Sequence, residues 1–142
     1  MRFAIVYSSF NEEVTSGLLK GAKKFLAEKN ISPKDEDIFL APGAFELPLI
    51  AKKLAKTKKY NGVICLGCVI KGDTAHFEFI SLGSTVGIMQ TMLETEVPVS
   101  FGVLTTYTDE QAVLRSKDNA ENKGREAANA CFETALILGK IN

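Results

Sequence analysis

The run Val63, Ile64, Cys65, Leu66 constrains the fold more than any other stretch of the chain. It is apolar at consecutive rather than alternate positions, which suits a strand covered on both faces, as in a parallel sheet between helices. Gly67 and Gly72 punctuate the chain just beyond it. At Gly72 the chain can turn, Asp73 or Thr74 can cap a helix, and free backbone N–H groups favour an anion such as phosphate. His76, the chain's one histidine, falls in the first turn of that helix. The positive end of the helix dipole disfavours imidazolium there, leaving a neutral ring suited to proton exchange near neutral pH. A surface histidine beside an ordinary turn explains the same pattern equally well.

The rest of the chain repeats the strand-then-helix rhythm. Arg2 to Ser8 is a short apolar strand ending in the polar turn Ser8 to Asn11. From Glu12 to Lys29 the positions Val14, Leu18, Leu19, Ala22, Phe25 and Leu26 form one helical stripe, which Asn30 and Pro33 stop. Asp37 to Ala41 predicts a second buried strand, and Pro42-Gly43 turns it into a helix carrying Phe45, Leu49, Ile50 and Leu54. The helix after Thr74 carries Phe77, Ile80, Val86, Met89, Met92 and Leu93. A fourth strand is predicted over Val97 to Leu104, with Pro98 tolerated near its start. Thr108 and Glu110 open a short helix to Arg115, a polar link runs from Ser116 to Asn122, and a last helix buries Ala127, Ala128, Cys131, Ala135 and Leu138. Four strands alternating with helices predict one doubly wound α/β domain over residues 1–142, a four-stranded parallel sheet with helices on both faces in a flavodoxin-like three-layer sandwich. The length is enough for such a core without disulfides or metal.

Charge and cysteine usage narrow the function. Lysine plus arginine and aspartate plus glutamate both total 17, so no net basic field points to nucleic acid. Nothing resembles a membrane span or a secretory leader, and a cytoplasmic protein is expected. Cys65 and Cys68 have a C-x-x-C spacing, but residues three apart on a strand face opposite ways and cannot share a metal or a disulfide. With Cys131 they read as small core residues.

In doubly wound sheets ligands bind beyond the carboxyl ends of the strands. The predicted strands deliver Phe10 and Asn11, Gly43 to Glu46, Val69 to His76, and Thr105 with Thr106 to that rim. No G-x-x-x-x-G-K-[ST] loop is present, the first strand is not followed by G-x-G-x-x-G, and it does not end in paired aspartates. Neither a nucleotide nor a phosphorylated signalling site fits, and a catalytic metal lacks ligands. What remains is an acid–base site with aromatic and anion-binding parts. Phe10 as a core residue, Glu46 as a helix-start carboxylate, and Arg115 and Lys123 as solvated charges are the plain alternatives.

These residues occur in the strings SSFNEEVTSGLLKGA, APGAFELPLIAKKLA, LGCVIKGDTAHFEFIS, PVSFGVLTTYTDEQA and NKGREAA, which span nearly the whole chain. In order and spacing they resemble the 6,7-dimethyl-8-ribityllumazine synthases of riboflavin biosynthesis. The resemblance implies condensation of two small-molecule substrates, 5-amino-6-(D-ribitylamino)uracil and 3,4-dihydroxy-2-butanone 4-phosphate, with no cofactor and no metal. It implies that Phe10 and Asn11 lie at the pyrimidine, that Ala44, Phe45 and Glu46 hold ring and ribityl chain, and that Cys68, Val69 and Ile70 line the ring edge. Gly72, Asp73, Thr74 and Arg115 take the phosphate, His76 moves protons, and Phe101 and Lys123 close the site. The groups matching Phe101, Arg115 and Lys123 come from an adjacent subunit in that family, so a homo-oligomer is implied. Departures are Lys71 for arginine, Ala75 for proline and Glu78 for aspartate. Family members also carry a segment ahead of the first strand that pairs with a neighbour's sheet, where here only Met1 precedes Arg2. A pentamer is favoured over the sixty-subunit shell of twelve pentamers. A non-catalytic flavin- or lumazine-binding module is the alternative function, weakened by the presence of His76 and Arg115.

Overall fold

The computed structural model describes residues 1–142. Strands β1 (Phe3–Ser8), β2 (Ile38–Ala41), β3 (Gly62–Ile70) and β4 (Val99–Thr106) alternate with helices α1 (Glu12–Glu28), α2 (Leu47–Lys56), α3 (His76–Thr95), α4 (Asp109–Leu114) and α5 (Lys123–Ile141). All strands are parallel in the order β2-β1-β3-β4. The chain winds outward one way from β1 and then the other way through β3, so the doubly wound α/β architecture is present with its switch point between β1 and β3.

Side-chain alternation along the central strands feeds two separate cores. Phe3, Ile5, Ile64, Leu66 and Cys68 pack with Leu18, Phe25, Leu26, Ala127, Ala128 and Cys131 of α1 and α5. Their strand neighbours Ala4, Val6, Val63, Cys65 and Val69 pack on the other face with Leu47, Ala51, Leu54, Phe77 and Ile88 of α2 and α3. Cys65 and Cys68 therefore lie on opposite faces of one uninterrupted strand, as their spacing requires, and all three cysteines are buried and free. Burial pushes the Cys68 and Cys131 thiols up to about 12, and the Cys65 thiol higher still.

Several expectations shift. Strand β4 starts at Val99 and reaches Thr106, two residues later than predicted, because its pairing with β3 runs from Val63↔Val99 to Ile70↔Thr106. Pro98 lies just before it and offers its carbonyl to the Val63 N–H at 2.8 Å. β2 is an edge strand with Leu40 exposed, not a strand buried on both faces. α2 is preceded by a 3-10 turn over Ala44–Glu46; Phe45 and Leu49 of the predicted stripe face outward, while Leu54 is buried as expected, together with Leu47, Ala51 and Ala55. On α3 the buried positions are Phe77, Ser84, Ile88 and Thr91, while Met89 and Leu93 from the predicted stripe are exposed.

The amino ends of the strands are fastened by one carboxylate. Asp37, 3% exposed at its side chain, accepts from Arg2 Nε (3.0 Å), Arg2 Nη2 (2.7 Å) and Tyr60 Oη (3.1 Å) through Oδ1, and from Lys34 N (3.1 Å) through Oδ2. Arg2 and Asp37 sit immediately ahead of β1 and β2, and Tyr60 lies two residues ahead of β3, so this knot closes the end of the sheet opposite the rim.

Candidate active site

At the carboxyl ends of β1 and β3 a cleft of about 420 Å³ opens between the turn after β1, the 3-10 turn before α2 and the start of α3. Phe10, Ala44, Phe45, Glu46, Cys68, Val69, Ile70, Gly72, Thr74 and His76 all line it. Its parts thus come from three of the four stretches that the strand ends were expected to deliver, while Thr105 and Thr106, at the end of β4, line a different recess. Phe10 is 68% exposed, which rules out a core role and presents the flat ring to the cleft. Phe45, also exposed, lies against Gly83 of α3, where an added Cβ would come within 2.9 Å of the ring. Glu46 folds its carboxylate back over Gly43, whose missing side chain leaves the room; a Cβ there would lie 3.2 Å from Glu46 Oε1.

Asn11 and Asp73 do not line the cleft. Asn11 instead supports it from behind. Its backbone is left-handed (φ 61°, ψ 49°), a shape asparagine tolerates, and its Nδ2 donates to the Cys68 carbonyl at 3.1 Å. That bond ties the turn after β1 to the end of β3. The turn after β3 also differs from expectation. No glycine in the protein has positive φ, so Gly72 is not needed for a left-handed turn; no atom lies within 4 Å of where its Cβ would be, so the backbone beside the cleft stays bare. α3 begins at His76 after Ala75, and Thr74 contributes only a 3.3 Å bond, its Oγ1 accepting from the His76 N–H. Asp73 makes no cap.

Phe101, Arg115 and Lys123 lie elsewhere. They line a second, more polar hollow of about 860 Å³ formed by β4, α4 and the start of α5. Lys123 Nζ bonds Glu126 at 3.1 Å and stands 6.0 Å from the centre of the Phe101 ring. Arg115 Nη1 donates to the Gln111 carbonyl at 3.3 Å, and the guanidinium enters none of the protein's ion pairs. An exposed guanidinium without a carboxylate partner is open to an anion.

Several lining residues escaped the sequence reading. Phe77 and Ile80 wall the cleft although their spacing marks them as core, and Phe77 serves both roles. Tyr107 and Gln111 line the second hollow. Tyr107 follows Thr106 at the rim, and its position beyond the strand was the available signal. Its ring stands 6.0 Å from Phe77, so it separates the two recesses. The departures at positions 71 and 78 answer one another, since Lys71 Nζ bonds Glu78 Oε1 at 3.2 Å.

No helix is long and apolar enough to cross a membrane. The family model for 6,7-dimethyl-8-ribityllumazine synthase matches residues 1–138. The chain is 66% identical over 140 residues to 6,7-dimethyl-8-ribityllumazine synthase 1 of Caulobacter vibrioides, covering 99% of this chain and 92% of that protein. Given this match and an aromatic, acidic and histidine-bearing cleft at the switch point of the sheet, the chain belongs to the 6,7-dimethyl-8-ribityllumazine synthase family.

Proposed function

We propose that the cleft and the second hollow are complementary halves of one active site, each completed by the other half on an identical neighbouring subunit. As a member of its family the chain is an enzyme of riboflavin biosynthesis. It condenses 5-amino-6-(D-ribitylamino)uracil with 3,4-dihydroxy-2-butanone 4-phosphate to 6,7-dimethyl-8-ribityllumazine, releasing phosphate and water. Membership displaces the reading as a non-catalytic binding module.

Within the cleft Phe10 stacks on the pyrimidine, held by the turn that Asn11 anchors, while Ala44, Phe45, Glu46, Cys68, Val69 and Ile70 surround the ring and the ribityl chain. Gly72 and Thr74 receive the phosphate together with a neighbour's Arg115, and the neighbour's Phe101 and Lys123 close the site. The amine attacks the ketone, the carbinolamine loses water to an imine, loss of a proton from the adjacent carbon expels phosphate and unmasks a second ketone, and the second nitrogen closes the ring on that ketone with loss of a second water. His76 carries protons between these steps, and only modest acid and base power is asked of it. Both substrates are reactive on their own, so holding them in register supplies much of the rest.

The split itself carries this reading. The aromatic, acid–base half and the cationic half occupy different recesses of one subunit, so a single chain does not surround a substrate with both. A second feature supports association. Phe79, Leu82, Val86, Met89 and Leu93 repeat at alternating spacings of three and four along α3, and all but the half-buried Val86 are exposed. Such a seam suits packing against the same helix of a neighbour. We favour a pentamer, and the buried free thiols fit a reducing cytoplasm.

Mixing tests the interface site. Subunits carrying Phe10→Ala and subunits carrying Arg115→Ala, each nearly inactive alone, are unfolded together and reassembled in equal amounts. In a ring each site takes one half from each of two neighbours, so about a quarter of the sites receive two intact halves. Activity should recover to roughly a quarter of wild type. Recovery no greater than the mean of the parents, with mixed rings confirmed by mass spectrometry, would refute the shared site.

A further inference from the structure

The link between α4 and α5 is closed at its neck by a backbone bond between the two cationic residues of the second hollow: the Lys123 N–H donates to the Arg115 carbonyl at 2.9 Å. The residues between them, 116–122, form a small loop on the flank of α1. One side chain fastens it. Asn122, 1% exposed, donates from Nδ2 to the Gly17 carbonyl of α1 (3.1 Å) and to the Lys117 carbonyl inside the loop (2.9 Å). Its Oδ1 accepts from the Arg125 N–H at 3.0 Å and caps α5. Both amide protons and the carbonyl oxygen are thus engaged, on three different segments.

The docking surface on α1 is made by absence. A Cβ on Gly21 would collide with Asn122 Oδ1, one on Gly17 with the Ser116 carbonyl, and one on Gly124 with the Leu18 carbonyl. Gly17 and Gly21 stand one turn apart on the same face of α1, and that face admits the loop only because both lack side chains. The fit is close in the way that fixes position, since neither partner can slide without striking backbone.

We propose that Asn122 is a positioning residue of the active site: by locking the 116–122 loop to α1 it sets where Arg115 and Lys123 project toward the neighbouring subunit's substrate. This rests on the reading that Arg115 meets the phosphate. Asn122 touches no substrate itself, being buried behind the hollow. Its effect is transmitted through the bond at the loop neck.

Two substitutions disturb the lock from opposite sides. Asn122→Ser keeps a helix cap for α5 but removes both amide N–H donors, leaving one short hydroxyl in their place. Gly21→Ala leaves Asn122 in place and drives its amide away. Each should raise KM for the phosphate-bearing ketone, and weaken inhibition by inorganic phosphate, on the order of tenfold. KM for the pyrimidine amine should change far less. Both substitutions break the same lock, so their losses in the double variant should not add. Arg115→Ala serves as the reference. If it leaves phosphate binding unchanged, the reading of Arg115 falls and the proposal with it. If Arg115→Ala weakens phosphate while both lock variants match wild type, or lose only thermal stability, Asn122 is structural and the proposal is overturned alone. Additive losses in the double variant would also overturn it. Should Asn122→Ser fail to fold, Gly21→Ala carries the same expectation.

Discussion

Asp37→Asn tests whether the two ends of the sheet divide their labour, one holding the fold and the other the chemistry. Burial pushes the Asp37 carboxyl up, but the bonds from Arg2, the Lys34 N–H and Tyr60 outweigh it and hold the group below the ordinary carboxylate value. Asparagine keeps the shape and one acceptor. It loses the anionic strength of that acceptor, and its amide sets a donor against a donor, either the Lys34 N–H or the Arg2 and Tyr60 groups. For a buried carboxylate in four bonds, roughly 2–3 kcal/mol should be lost, after allowing for relief from burying a charge. The sign with pH comes from the depressed value. Stability from such a group is complete above the unfolded value of about 4 and vanishes as pH falls through the folded one. Urea unfolding at fixed protomer concentration should show a gap between wild type and variant that is level from about pH 6 to pH 8 and closes below about pH 4. Turnover of the folded variant should be unchanged, because the knot lies at the far end from the cleft. A gap under about 0.5 kcal/mol at neutral pH, or one that widens on acidification, would refute the reasoning.

Phe10→Ala should leave the unfolding midpoint unchanged, because the ring is 68% exposed, yet weaken the pyrimidine roughly 5- to 150-fold through about 1–3 kcal/mol of lost stacking; a matching loss for the phosphate substrate alone would argue against stacking. His76→Ala should slow turnover roughly tenfold to a thousandfold without abolishing it, since positioning survives. Wild-type rates in that variant at neutral pH would remove the proton-transfer role. With thiols pushed up to about 12 or beyond, on the order of one thiol in ten thousand is ionised at pH 8. Thiol reagents should therefore leave the native protein nearly untouched and modify all three cysteines in denaturant; rapid native labelling would contradict the buried placement.

Local pattern was enough to place the elements in order and to bring residues from separate stretches to one rim, because a parallel sheet covered on both faces leaves few other arrangements. It failed where partners lie far along the chain or outside it. Leu40 reads as core because apolar residues at a sheet edge look like those at its centre, and only the order β2-β1-β3-β4 tells them apart. The two-residue shift of β4 reflects pairing with β3, which hydropathy does not encode. Met89 and Leu93 of α3 read as core because apolar residues on an exposed helix face can follow the same spacing as those facing the sheet. The separation of Arg115 and Lys123 from the cleft was not legible in residue types at all. It came from resemblance, and its geometric counterpart is the pair of distinct recesses.

The α3 seam has a consequence for the economy of the cell. A lone subunit exposes Phe79, Leu82, Met89 and Leu93 together and, under the proposed shared site, would hold only half of it. If the protein closes into the proposed ring, newly made chains are sticky and idle until they meet others, and ring closure depends on a high power of their concentration. Catalytic capacity should then climb faster than copy number, with a threshold of expression below which the protein is present but the reaction is not.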